Sequence, residues 1–527
     1  MNKIVSIIAV IFLYFGNTLT AQSNVVINCP IIPRPVVYQL ASGDFGIINN
    51  ELQINTNNLP TEIGFYLKKQ LESAFSIKTN LIEDQGVILF KKIKNVPFNT
   101  YSINISDNIT ITYSSEESCF YAVNSLIQLI EKNGTDLIIK KCFINDYPKF
   151  EWRGMHLDVS RHFFNTDEVK RFIDLMALYK FNTLHWHLTD DQGWRIEIKQ
   201  FPKLTEIGAC RDSTLIGYLN DSPRKYERKR IEGFYTQEQI KEIVAYASKR
   251  YISIVPEIEI PGHCRAALAA YPEHSCTEKQ LGVPGLWGQF EDVFCSKPQT
   301  IEFIKKILDE VFSLFPSKYI HIGGEEVLQS RWLECSNCTK VIEENKLKGV
   351  EELQSFFIQQ IDAYLTSKGK TLIGRDMNYM NKLSGTTVSM LSKEITSNSN
   401  YYKIANDSEY CNFNQSQYKL EKIVVGSFLP LEKVYDFNPI PDNFTNLEAA
   451  YILGGQANVW TEYISSMFQL EYMVFPRALA MSQVLWCREQ KPSFESFKNT
   501  LIDYQFPFLD KYKVNYSIAI LNPKKVE

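Results

Sequence analysis

Residues Thr300–Glu326 read TIEFIKKILDEVFSLFPSKYIHIGGEE. From Thr300 to Phe315 the apolar residues Ile301, Ile304, Ile307, Leu308 and Val311 recur at helical spacing, the mark of an amphipathic helix. A short apolar run at 319–324 follows and ends on two glycines and the acid pair Glu325-Glu326. A helix, then a buried strand, then carboxylates at the strand's end is one unit of an α/β fold.

The same unit repeats on both sides. Strands are expected at 153–159, 183–189, 252–260, 319–324, 371–375, 387–391, 404–410 and 454–460, with the weakest pattern in the sixth and seventh. Helical patterns such as Thr166 to Tyr179, Thr236 to Arg250 and Glu351 to Lys368 lie between them. Eight alternating units predict a closed (β/α)8 barrel, with its active site at the C-terminal ends of the strands. Upstream, β-rich runs such as Val87–Phe90 and Ile109–Tyr113 and a helical stretch from Glu116 to Lys132 predict a small α+β domain. The expected plan is a signal peptide at 1–22, the α+β domain at 23–147, the barrel at 148–490 and a C-terminal extension packing on it at 491–527.

Bulk properties narrow the class. The 527 residues exceed one small core, and 45% hydrophobic with 22% charged residues is ordinary globular composition. A net charge of −4 gives no sign of nucleic acid or acidic membrane partners. Lys3, the apolar run Ile4–Tyr14 and a cut near Ala21 predict a signal peptide too short to span a bilayer, hence an exported protein, periplasmic or secreted. Of eleven cysteines, Cys276 and Cys295 bracket a Gly/Pro-rich loop and could close it. Cys335 and Cys338 form a C-x2-C without an evident second pair of ligands, so a local disulfide or free thiols is expected there rather than zinc.

Polar residues gather where the strands end: Asp158 to His162, Thr189 to Trp194 with Asp190 and Asp191, Pro256 to His263, Gly323 to Glu326, and Asn458 to Glu462 with Trp460. Carboxylates, His and Trp converging from several strands suit acid/base work on a polyhydroxylated ligand. Adjacent acids shift each other's pKa, which lets one remain protonated as a general acid. His263 beside Asp190 or Asp191 could form a carboxylate–His–carboxylate relay. His185 and His187 share one side of a strand; without an evident third metal ligand, they read as hydrogen-bonded core histidines.

Trp152 to Phe164, His185 to Arg195, the Pro261-Gly262-His263 turn, His321 to Gly324 and Gly455 to Glu462 resemble, in order, the motifs of glycoside hydrolase family 20, the β-N-acetylhexosaminidases. The resemblance runs from about residue 30 to about 515, and the first domain also resembles the one preceding the barrel in that family. It implies an exo-acting, retaining glycosidase in which the substrate's 2-acetamido oxygen, not an enzyme carboxylate, attacks the anomeric carbon. The implied partner is a glycan with a terminal amino sugar, and no metal or organic cofactor is required. By position, Glu326 is the acid/base and Glu325 orients the acetamide, while His263 with Asp190 or Asp191 tunes Glu326. Arg153 would hold the C3 and C4 hydroxyls, Tyr410 the acetamide oxygen, Trp460 the pocket floor and Glu462 the C4 and C6 hydroxyls.

The chain departs from the family around the acetamide. Glu325 stands for the usual Asp, Arg375 for a Trp, Met390-Leu391 for a Ser-Trp, and Asn412 for the Asp of a Tyr-x-Asp. Arg375 could pair with Glu325 or bind an anionic substituent. Three readings follow: an ordinary β-N-acetylhexosaminidase, a glycosidase of altered specificity for a charged or modified amino sugar, and a non-catalytic glycan-binding protein.

Overall fold

The computed structural model describes residues 29–521, apart from Asn378 and 394–400, 419–420, 422–427 and 489–490. The expected signal peptide at 1–22 lies outside the described residues.

Eight parallel strands close a barrel: Trp152–Asp158, Thr183–His187, Ser253–Glu257, Tyr319–His321, Thr371–Arg375, Val388–Leu391, Tyr402–Ala405 and Ile452–Ala457. The last pairs with the first in register Gly454↔Trp152 to Ala457↔Met155. The helix Pro298–Leu314 packs its apolar stripe, with Ile301, Ile304, Ile307, Leu308 and Val311 buried, and delivers the chain to the fourth strand. Helices Thr166–Leu178 and Gln237–Ser248 each begin with a capping box, Asn165 with Glu168 and Thr236 with Gln239, which satisfies otherwise orphaned N-terminal amides.

The seventh strand is a correction. It ends at Ala405, not 410, and Asp407 then caps a short helix, Ser408–Cys411. Asp407 accepting the Glu409 amide at that point ends the extended run, so Tyr410 sits on a helix beyond the strand.

Before the barrel, an eight-stranded mixed sheet carries the helices Thr61–Phe75 and Glu116–Gln128, which pack on it and on each other. This unit meets the barrel's N-terminal face through a buried charged network. Lys180 Nζ reaches Asp146 Oδ2 at 3.1 Å and the Tyr101 hydroxyl at 2.8 Å. Trp486 Nε1 donates to the same carboxylate at 3.0 Å. After Trp486 the chain crosses both units: Gln505 donates to Pro30 O and Gln128 Oε1 and accepts from Tyr179. No helix of the described residues is long and apolar enough to cross a membrane.

Candidate active site

The strands' C-terminal ends form a cleft of about 320 Å³. Its frame starts with Asp158, buried at the end of the first strand, which accepts the amides of Ser160 at 2.8 Å, Arg161 at 3.2 Å and Thr461 at 3.0 Å. One carboxylate thereby ties the loop after the first strand to the loop after the eighth. Arg161 turns into the cleft, 2.7 Å from Asp190 and 5.1 Å from the Trp460 ring. Trp460 closes the floor, resting on His156 and His187 at ring separations of 4.4 and 5.2 Å.

Glu325 and Glu326 are sequence neighbours with opposite surroundings. The Glu326 side chain is half exposed at the cleft mouth, with Oε2 3.4 Å from His263 Nε2. His263 Nδ1 lies 3.0 Å from Asp191 Oδ2 and 3.4 Å from Asp190 Oδ1. The hydrogen bond from His263 holds the Glu326 carboxyl below its ordinary range. Burial opposes charge on His263, but Asp190, Asp191 and Glu326 outweigh it and raise its pKa well above the usual value. Asp190 is held low in spite of burial by Arg161 and His263. Both His263 (φ 48°) and Glu326 (φ 53°) sit in the left-handed backbone region, where strain concentrates at functional positions.

Glu325 points inward. Its Oε1 lies 2.6 Å from Arg375 Nε, and the guanidinium also donates to Asn406 Oδ1 at 3.0 Å. The pairing expected as one option from sequence is therefore formed. Glu325 Oε2 and Arg375 Nη2 are buried and have no hydrogen-bond partner among the described residues. The same holds for Glu259 Oε2, Asn414 Oδ1 and Glu462 Oε2 in this cleft. Burial, then Glu325 and Glu257, lift the Glu259 carboxyl far above its usual range. Burial also raises Glu462, against the pull of Arg161. Gly323 (φ 65°) admits Glu259: a Cβ there would stand 1.8 Å from its Oε2.

Beneath Trp460 lies a buried layer of imidazoles around Glu257. His321 is at 2.6 Å, His185 at 3.0 Å and His156 at 3.8 Å, and His187 is hydrogen-bonded to it. His185 and His187 do face one side, and Glu257 is a further group within reach of both. Burial pushes His185 down to about 3. For His187 burial acts the same way, but Glu257 and Asp190 prevail and raise it. This layer supports the floor and fixes the His187–Asp190 contact at 2.9 Å.

Of the residues singled out in the sequence, Glu326, Glu325, His263, Asp190, Trp460, Glu462, Arg375 and Asn412 line this cleft, and Asp191 stands behind His263. Two do not. Arg153 lies at the N-terminal end of the first strand, on the opposite face of the barrel, where it donates to Lys180 O, Phe150 O and the Tyr121 hydroxyl. It cannot reach a sugar in the cleft. Tyr410, beyond the shortened seventh strand, lies with its ring 5.7 Å from that of Phe437 in a tilted contact and lines an adjoining hollow. Arg161, Glu259 and Asn414 were missed. Arg161 was within the motif already noted, and its place beyond the strand's C-terminal end was the signal. Glu259 was likewise inside the Pro256 to His263 stretch already noted, just beyond the end of the third strand, whereas Asn414 gave no local signal.

The arrangement offers a hydrogen-bonded proton relay at the mouth, a fixed inner carboxylate with one free oxygen, and an aromatic floor beside unpaired polar groups. Comparison with known proteins gives the same direction. Residues 150–489 match the model "Glycosyl hydrolase family 20, catalytic domain", and residues 28–147 match "Glycosyl hydrolase family 20, domain 2". A beta-hexosaminidase of Porphyromonas gingivalis is 38% identical over 78% of this chain and 53% of its own length. One of Vibrio furnissii is 32% identical over 86% of this chain and 76% of its own. The chain thus spans about half the length of the first relative and three quarters of the second. The crystal structure of an exo β-N-acetylglucosaminidase from Vibrio harveyi, in complex with N-acetylglucosamine, superposes with a TM-score of 0.82 at 30% identity. That match covers 93% of this chain and 78% of the other.

Proposed function

The chain belongs to glycosyl hydrolase family 20, and from that premise we propose that it is an exported, exo-acting β-N-acetylhexosaminidase that removes terminal N-acetylhexosamine with retention. The observation that carries this reading is Glu326 at the mouth of the cleft, backed by His263 and the Asp190–Asp191 pair. The Vibrio harveyi neighbour holds N-acetylglucosamine, and the same sugar class suits this cleft.

The sugar would stack on Trp460, with Arg161 and Glu462 taking its hydroxyls. Glu325 Oε1 is engaged by Arg375, which leaves Oε2 to accept the acetamide N–H. The acetamide oxygen then attacks the anomeric carbon as the aglycone leaves. Glu326 protonates the leaving oxygen and afterwards takes a proton from the incoming water. Before substrate enters, the Glu326–His263 pair keeps its proton on the imidazole side, as the two opposite pKa shifts require. A bound sugar excludes water from the half-exposed Glu326, which favours its neutral form. The proton 3.4 Å away then becomes the one delivered to the aglycone.

Arg375 also favours a second reading. Its Nη2 is buried without a partner among the described residues, and it would serve a sugar carrying a sulfate or carboxylate. The test is hydrolysis of 4-nitrophenyl β-GlcNAc, β-GalNAc and a sulfated β-GlcNAc, beside Glu326→Gln. Turnover of the neutral sugars that the variant loses supports the first reading. Turnover of the sulfated sugar alone supports the second. Binding without turnover of any would leave a glycan-binding protein and overturn both.

A further inference from the structure

Four cysteines from three separate stretches meet beside the loop that carries Glu326. Cys276 follows the turn Pro272–His274, Cys295 precedes the helix Pro298–Leu314, and Cys335 and Cys338 cap and open the helix Ser336–Glu344. The sulfurs of Cys276 and Cys338 lie 3.7 Å apart, those of Cys295 and Cys338 3.7 Å, and those of Cys295 and Cys335 3.8 Å. All four fit within 4.8 Å of one another. The loop-closing pair and the C-x2-C expected to act separately therefore form one cluster, and the second ligand pair that the sequence hid is Cys276 with Cys295.

From this geometry we propose that the four thiolates hold a structural zinc ion. Sulfurs at about 2.3 Å from a tetrahedral zinc stand about 3.8 Å from each other, which matches the 3.7–3.8 Å of the three pairs above, and the remaining pairs lie within 4.8 Å. Two disulfides would instead need two sulfur pairs at about 2.05 Å. Four sulfurs, with no imidazole or carboxylate in the cluster among the described residues, select zinc over the harder divalent ions. Each thiol gives its proton to solvent as the ion binds. The helix Ser336–Glu344 presents its N-terminus to two of the thiolates, which offsets their charge.

The surroundings explain what the ion does. Val293, Trp332, Val341, Val350 and Leu353 form with these cysteines a satellite core separate from the main one. So few apolar side chains hold poorly without a staple. Val327, next to Glu326, packs on this satellite. The zinc thereby anchors the far end of the loop that presents the acid.

Elemental analysis of the full chain, purified without chelator, should find one zinc per molecule. After denaturation with a chelator, all eleven cysteines should react as thiols. Cobalt(II) exchanged into the protein should give the visible bands of a tetrahedral thiolate site. Cys338→Ser should lose the zinc and unfold at lower temperature, whereas Cys210→Ser, away from the cluster, should keep both. Absence of zinc together with absence of cobalt bands would overturn the proposal, whether four thiols are missing as disulfides or all eleven are free. Should Cys338→Ser fail to fold, the metal and thiol counts on the unaltered chain still decide. The glycosidase reading of Glu326 stands or falls separately.

Discussion

The barrel buries charge at both ends, and the two ends treat it differently. At the base, Arg153 spends its guanidinium on two carbonyls and a tyrosine, and Lys180, Tyr101 and Trp486 converge on Asp146. None of these side-chain atoms is left without a partner. At the mouth, Glu325, Glu259, Arg375, Asn414 and Glu462 each keep a buried polar atom unpaired among the described residues. Buried polar groups are ordinarily satisfied, so a cluster of orphans calls for an explanation. A saturated network holds two units together; an unsaturated one waits for a ligand that brings its own hydrogen bonds.

Substitutions at the two ends should have opposite effects. Glu326→Gln should cost about 10²–10⁴-fold in kcat and almost nothing in stability, because the side chain is half exposed. Steady-state kinetics beside thermal unfolding checks both. At the base, Lys180→Met strands the Asp146 carboxylate and should cost about 3–5 kcal/mol, read from denaturant titration, with kcat/KM of the folded fraction unchanged. His263→Asn sharpens the electrostatics of the mouth. In the intact pair the raised His263 pKa keeps a proton available at neutral pH and releases it only as pH climbs through that value. Without His263 the sole donor is the Glu326 carboxyl. That carboxyl then rises, because its largest lowering influence is gone, yet remains below an imidazole so raised. The alkaline limb of kcat/KM should therefore move to lower pH, and an unmoved limb would exclude the relay.

Much of this was legible in the sequence. Apolar faces at helical spacing and strands ending in carboxylates fixed the barrel, because periodicity and strand direction are local properties. The seventh strand slipped since residues 406–410 have no apolar alternation, and Tyr410 went astray with it. Arg153 was misplaced for a different reason. A strand rises about 3.3 Å per residue, so Trp152–Asp158 carries the chain from base to mouth, and Arg153 and Arg161 end on opposite faces. The thiol cluster was unreadable because its members meet only through tertiary packing across 62 residues of sequence separation. The orphaned carboxyl oxygens belong to the same class, since partnership is decided by what packs nearby.

The most direct test sets those two arginines against each other. Arg161→Met and Arg153→Met should be compared for kcat/KM on the same β-N-acetylhexosaminide and for unfolding free energy. Arg161→Met should lose about 10²-fold or more in kcat/KM while staying folded. Arg153→Met should lose about 2–4 kcal/mol of stability while the folded enzyme turns over normally. Selective loss of catalysis in Arg153→Met, with Arg161→Met fully active, would contradict the placement of the site.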